Sequence, residues 1–158
     1  MLITLSKKSA KKFFSVKKKY YIYLIKQSIM KITLEKQESE EIFFNAMCNG
    51  LGYVTGYGLE LDYKEEEYAA AKAAIKERGE SPCIEDVLME ILKRGGGITL
   101  VDVELDGEYT STITLKDVHE RVAQTPAEHL LDMINENDDA CTADVVLQTV
   151  FFQDIIFG

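Results

Sequence analysis

The sequence predicts an α+β fold, in which a small, mainly antiparallel sheet with a β-hairpin at 98–115 packs against four to five helices. Three observations lead there. ITLVDVELDGEYTSTITL sets Asp106-Gly107, a preferred two-residue turn, between two β-rich arms. DYKEEEYAAAKAAIKERG is a run of strong helix formers with acids in the first turn, bases later and Gly79 as the stop. Ile84, Val87, Leu88, Ile91 and Leu92 recur at helical spacing and form one apolar stripe that ends at Gly95–Gly97.

The remaining elements follow in chain order. Ile32 and Leu34 alternate with polar neighbours, as in a short half-buried strand over 31–35. A helix opening at Ser39 buries Ile42, Phe43, Ala46 and Met47 and ends on an Asn49-Gly50 cap. Leu59, Leu61 and Tyr63 alternate as a second strand, and Ser81-Pro82 starts the helix that carries the apolar stripe. Counting outward from the hairpin turn pairs Leu105 with Glu108, Leu100 with Ile113 and Ile98 with Leu115. Thr114/Asp117 and Thr125/Glu128 are expected capping boxes for two further helices. In CTADVVLQTVFFQDIIFG the apolar triplets surround any helix drawn through them, so this segment belongs either in the domain's core or in a homodimer seam. The seam candidates are Val150, Phe151, Phe152, Ile155, Ile156 and Phe157.

Charge divides the 158-residue chain in two. Residues 1–29 hold eight lysines and no acid, whereas residues 30–158 hold all 27 acids against ten bases, about +8 against −17. The first segment is expected to be a basic extension outside a single acidic domain at 30–158, with Met30 as the natural start. A basic arm that contacts nucleic acid or the acidic body is the alternative. Its apolar groups are too broken for the roughly 20 residues that cross a bilayer, so no membrane association is expected. The acidic body disfavours direct nucleic-acid binding, which needs clustered Lys and Arg. Cys48, Cys83 and Cys141 show no CxxC spacing, which suits a reducing cytoplasm and no disulfide framework.

NGLGYVTGYGLEL, residues 49–61, is the one run that invites a ligand. Its glycines lie after a predicted helix and before a strand, the reverse of a dinucleotide fingerprint, and no lysine lies among them. Conformational freedom at a crossover is the first reading. A small-molecule or nucleotide site using Gly52, Tyr53, Gly56, Tyr57 and Tyr63 is the second. His119 lacks the second histidine of a zincin motif, and nothing in the spacing of His119, His129 and Cys141 demands a zinc site. Asn135, Asn137 and Asp139 imitate half a calcium loop, but Ala140 and Val146 stand where its glycine and glutamate belong. No catalytic residue, metal site or cofactor is assigned, and enzymatic activity is not expected.

FFNAMCNGLGYVTGYGLELDY, GEYTSTITLKDVHERV and TADVVLQTVFFQDIIFG together resemble a group of small acidic proteins of tailed bacteriophage and prophage genomes, of the kind associated with gut Bacteroidetes. The resemblance covers most of 31–158 and none of 1–29. It implies a phage origin and a bacterial cytoplasm, and it carries no functional residue with it. The expected function is a non-enzymatic accessory role, binding a host or phage protein through an acidic surface. Small-molecule or nucleotide binding and a structural or scaffold role are the alternatives.

Overall fold

The computed structural model describes residues 32–158, of which Thr33–Gly158 forms one compact unit. The lysine-rich segment and the expected start at Met30 lie outside the described residues. In order, the elements are α1 (Lys36–Thr55), β1 (Leu59–Asp62), α2 (Glu65–Glu77), α3 (Ile84–Lys93), β2 (Ile98–Asp102), β3 (Ser111–Ile113), α4 (Leu115–Arg121), a 3-10 turn (Val122–Gln124), α5 (Ala127–Ile134) and α6 (Ala140–Phe152). The class is α+β, with six α-helices among the described residues. The sheet is antiparallel with β2 at its centre.

α6 is the axis of the core. A helix apolar on every side must be covered on every side, and Val146, Leu147, Val150 and Phe151 are all buried. Its largest neighbour is α1, whose Phe43 ring lies 6.4 Å from that of Phe151. Burying each such side chain stabilises the fold by about 1.5–3 kcal/mol. The two helices approach most closely at Gly50, where an added Cβ would lie 3.0 Å from Leu147 Cδ1 and 3.1 Å from the carbonyl carbon of Ala143. This corrects the Asn49-Gly50 cap. α1 runs on to Thr55, because the contact with α6 and the burial of Val54 outweigh glycine's helix cost of about 1 kcal/mol.

Four further expectations are corrected. The 31–35 strand does not form: Ile32–Glu35 joins no ladder, because Glu38 accepts the Glu35 N–H at 2.7 Å and starts α1 at Lys36. α3 begins after Ser81-Pro82, since the N–H and Sγ of Cys83 both donate to Asp86 Oδ2 at 3.0 Å and make Cys83 the cap. The Thr125/Glu128 box is absent. Thr125 is buried with its hydroxyl unpartnered, and Pro126 takes the cap position. The Thr114/Asp117 box does form, with the N–H and hydroxyl of Thr114 donating to Asp117 Oδ2 at 2.8 Å.

The fourth correction is the hairpin register. Ile98 opposes Ile113 and Leu100 opposes Ser111, two residues from the expected pairing, so the apolar face is unchanged. Asp106 and Gly107 do adopt positive φ (54° and 81°), but the strands stop short of them. The cause is Asp102, which is buried on the core face of β2. Its carboxylate accepts the N–H groups of Glu104, Leu105 and Tyr109, taking amides that would otherwise extend the ladder. The Leu105 bond contributes most to holding the Asp102 carboxyl below its usual range.

Candidate functional site

A groove of about 830 Å³ opens between the outer face of the first half of α1 and one face of α3, closed at one side by the end of α2. Lys36, Gln37, Glu40, Glu41, Phe44 and Asn45 are spaced so that they share one side of α1, and Asp86, Met89, Glu90 and Lys93 do the same on α3. Ion pairs tie the walls together. Arg78 Nη2 lies 3.1 Å from Glu90 Oε2, with Nε 3.4 Å from Glu80 Oε1. Lys93 Nζ lies 3.3 Å from Glu40 Oε2.

The Glu40 carboxylate of the groove is held from two sides. His119 Nε2, from α4, donates to its Oε1 at 2.8 Å while Lys93 holds the other oxygen, so one side chain of α1 links three helices. Burial pushes the Glu40 carboxyl up, but the bonds from His119 and Lys93 outweigh it and leave the group below its ordinary range. His119, for which the sequence assigned no metal role, is thus spent on a carboxylate. His129 lies 3.3 Å from Thr142 Oγ1 on another face. Among the described residues no cluster of three His, Cys, Asp or Glu is placed to hold a metal ion.

The glycine and tyrosine residues separate. Gly52 lies within α1, and the Gly56 N–H closes its last turn on Tyr53 O at 2.9 Å, so these amides do not form a cradle. Gly58, at φ 76°, is the residue whose backbone needs glycine: it turns the chain into β1, and its carbonyl accepts the Val103 N–H. Tyr53 is half exposed, and Tyr63 stacks on Tyr68 at 4.8 Å. Tyr57 stands apart from both. Its ring stacks on Phe157 at 4.9 Å and its hydroxyl donates to Asp144 Oδ2 at 2.9 Å. Burial, then that bond, pushes the Tyr57 phenol up to about 12.

Asp144 and Gln148 sit one turn apart on α6, and both are buried. The Gln148 amide is saturated. Its Nε2 donates to Asp144 Oδ2 and to Phe157 O, and its Oε1 accepts the N–H groups of Ile156 and Phe157. Of the expected seam residues, Val150 and Phe151 pack against α1 in the core of their own domain rather than in a seam. Phe152, Ile156 and Phe157 are half-buried, and Ile155 is exposed. No helix among the described residues is long and apolar enough to cross a membrane. The three cysteines are exposed thiols, and hydrogen bonding to Asp86 first of all pushes Cys83 up to about 11, so it is a weak nucleophile.

Comparison with protein-family models, curated proteins and solved structures finds no match to the chain. Sequence reasoning missed both the groove and the Asp144–Gln148 network. A signal for the second was present: Asp and Gln four apart in a helix otherwise apolar all round must be buried together. For the groove the signal was weaker, a Phe44 left over beside the buried stripe of α1 among charged neighbours.

Proposed function

We propose that this chain is a non-enzymatic protein-binding module that takes a lysine- or arginine-rich segment of a partner along the groove between α1 and α3. The phage setting and bacterial cytoplasm implied by the sequence resemblance belong to the same proposal. One observation carries it. In a body of charge −17, two of the groove's three cations, Arg78 and Lys93, are already paired with Glu90 and Glu40, so the field offered to a partner is that of carboxylates. Such a field attracts a basic segment and speeds its encounter, and salt weakens it. Glu41 and Glu80 stand exposed on the rim: Glu41 is in no ion pair among the described residues, and Glu80 shares Arg78 with Glu90.

Calorimetry with a lysine-rich peptide tests this. Binding is expected at low salt, to weaken between about 50 and 300 mM NaCl, and to be lost in the rim variant Glu41→Lys/Glu80→Lys. Equal binding by that variant would refute the groove as the site. A nucleotide at 50–63 has less support, because the Tyr57 ring and hydroxyl are already engaged and Asp144 would repel phosphate.

A further inference from the structure

One buried group is left unexplained by the groove. Asp144 is 6% exposed, and its Oδ1 has no hydrogen-bond partner. The neighbouring donors are spent: the Tyr57 hydroxyl and one Gln148 N–H go to Oδ2, and the other Gln148 N–H goes to Phe157 O. A buried carboxylate oxygen without a donor costs free energy, so a donor from outside the domain is the natural complement.

Next to this carboxylate is an aromatic cage filled by the chain itself. The Phe157 ring lies 4.9 Å from Tyr57 (stacked), 5.4 Å from Tyr109 and 6.2 Å from Phe152 (both edge-on). With the Phe157 ring withdrawn, the face of Tyr57, bordered by the rings of Tyr109 and Phe152, would flank a space within about the 6 Å range over which an aromatic face attracts a cation. The segment that places Phe157 there is lightly held. Gln153 turns it back in the left-handed region at φ 59°, Asp154 and Ile155 are exposed, and the hydrogen bonds that fix Ile156 and Phe157 all go to one side chain, Gln148.

We propose that residues 154–157 are a displaceable strap, and that the cage of Tyr57, Tyr109 and Phe152 beside Asp144 is a binding site for an organic ammonium group. Lifting the strap exchanges a neutral ring for a cation that the rings and the carboxylate both attract, and it frees a Gln148 N–H. An ammonium supplies the charge and the N–H donors that Asp144 Oδ1 lacks. Its source is either a small free amine or a lysine side chain of a partner. The proposal stands independently of the groove.

The test uses the full chain and calorimetry with two probes, n-butylammonium and an end-blocked Gly-Lys-Gly peptide. Phe157→Ala empties the cage and is expected to bind n-butylammonium at least about tenfold more tightly than the unsubstituted chain. Adding Asp144→Asn should abolish the gain. Equal or tighter binding of the peptide marks a lysine side chain as the source, and binding of n-butylammonium alone marks a free amine. A folded Phe157→Ala chain that binds neither probe, or binds equally with Asn at 144, overturns the proposal. Should Phe157→Ala fail to fold, Ile156→Pro removes one strap hydrogen bond and is expected to tighten binding in the same direction. An unchanged affinity in that variant overturns the proposal as well.

Discussion

The two halves of α1 hold their neighbours by different physics. The first half borders a groove whose walls are tied by ion pairs such as Lys93–Glu40, with Lys93 half in solvent. The second half passes α6 so closely that a methyl group at Gly50 would meet the α6 backbone at 3.1 Å, beside a buried network of Tyr57, Asp144 and Gln148. Water screens the first kind of contact and is excluded from the second. The same helix can therefore border a solvent-screened surface at one end and a close helix–helix contact at the other.

Gln148→Ala should show the largest effect. It strands the amides of Ile156 and Phe157 and the Phe157 carbonyl, and leaves Asp144 Oδ2 with the Tyr57 hydroxyl alone, so a loss of about 2–4 kcal/mol is expected from urea denaturation. A loss below about 1 kcal/mol would mean that the network is not sealed from water.

Two glycines of α1, Gly50 and Gly52, should respond to alanine with opposite signs. Gly50→Ala presses a methyl group against the α6 backbone and should destabilise by about 1 kcal/mol after the gain in helix propensity. Gly52→Ala, with nothing within 4 Å of the new Cβ, should stabilise by up to about 1 kcal/mol. Stabilisation by both would show that the helices can separate freely, contrary to the packing described.

Effects in the groove should be smaller and depend on the solvent. The Glu40 carboxyl lies below its ordinary range when folded, so the folded state binds fewer protons in acid than the unfolded state does. Its contribution is present above the unfolded value and fades as pH falls through the folded one. Glu40→Gln should accordingly cost more stability at pH 7 than at pH 3, as read from thermal midpoints. Lys93→Ala should cost under about 1 kcal/mol, and less in high salt.

How much of this was legible depended on whether a signal was local. The cap of α4 and the extent of α2 followed from neighbouring residues, and both formed where expected. The end of α1 did not, because Gly50 answers to a helix about a hundred residues later in the chain and not to its own neighbours. The hairpin face was legible from alternation, but its register was not, since a buried Asp102 competes with the ladder for the loop's amides. Val150 and Phe151 were readable as residues that must be covered. That they are covered by α1 in the same domain is a tertiary fact. The groove was the least legible feature, because its walls come from three helices and its charges look, in sequence, like any solvated face.

We propose that this acidic protein meets a basic partner at the α1–α3 groove. Mapping amide chemical shifts of the full chain on addition of a lysine-rich peptide at low salt tests it most directly. Perturbations concentrated at Glu40, Glu41, Glu80, Glu90 and Lys93, and removed by Glu41→Lys/Glu80→Lys, are the expected result. Perturbations spread evenly over the carboxylates of the domain, with none favoured in the groove, would contradict it.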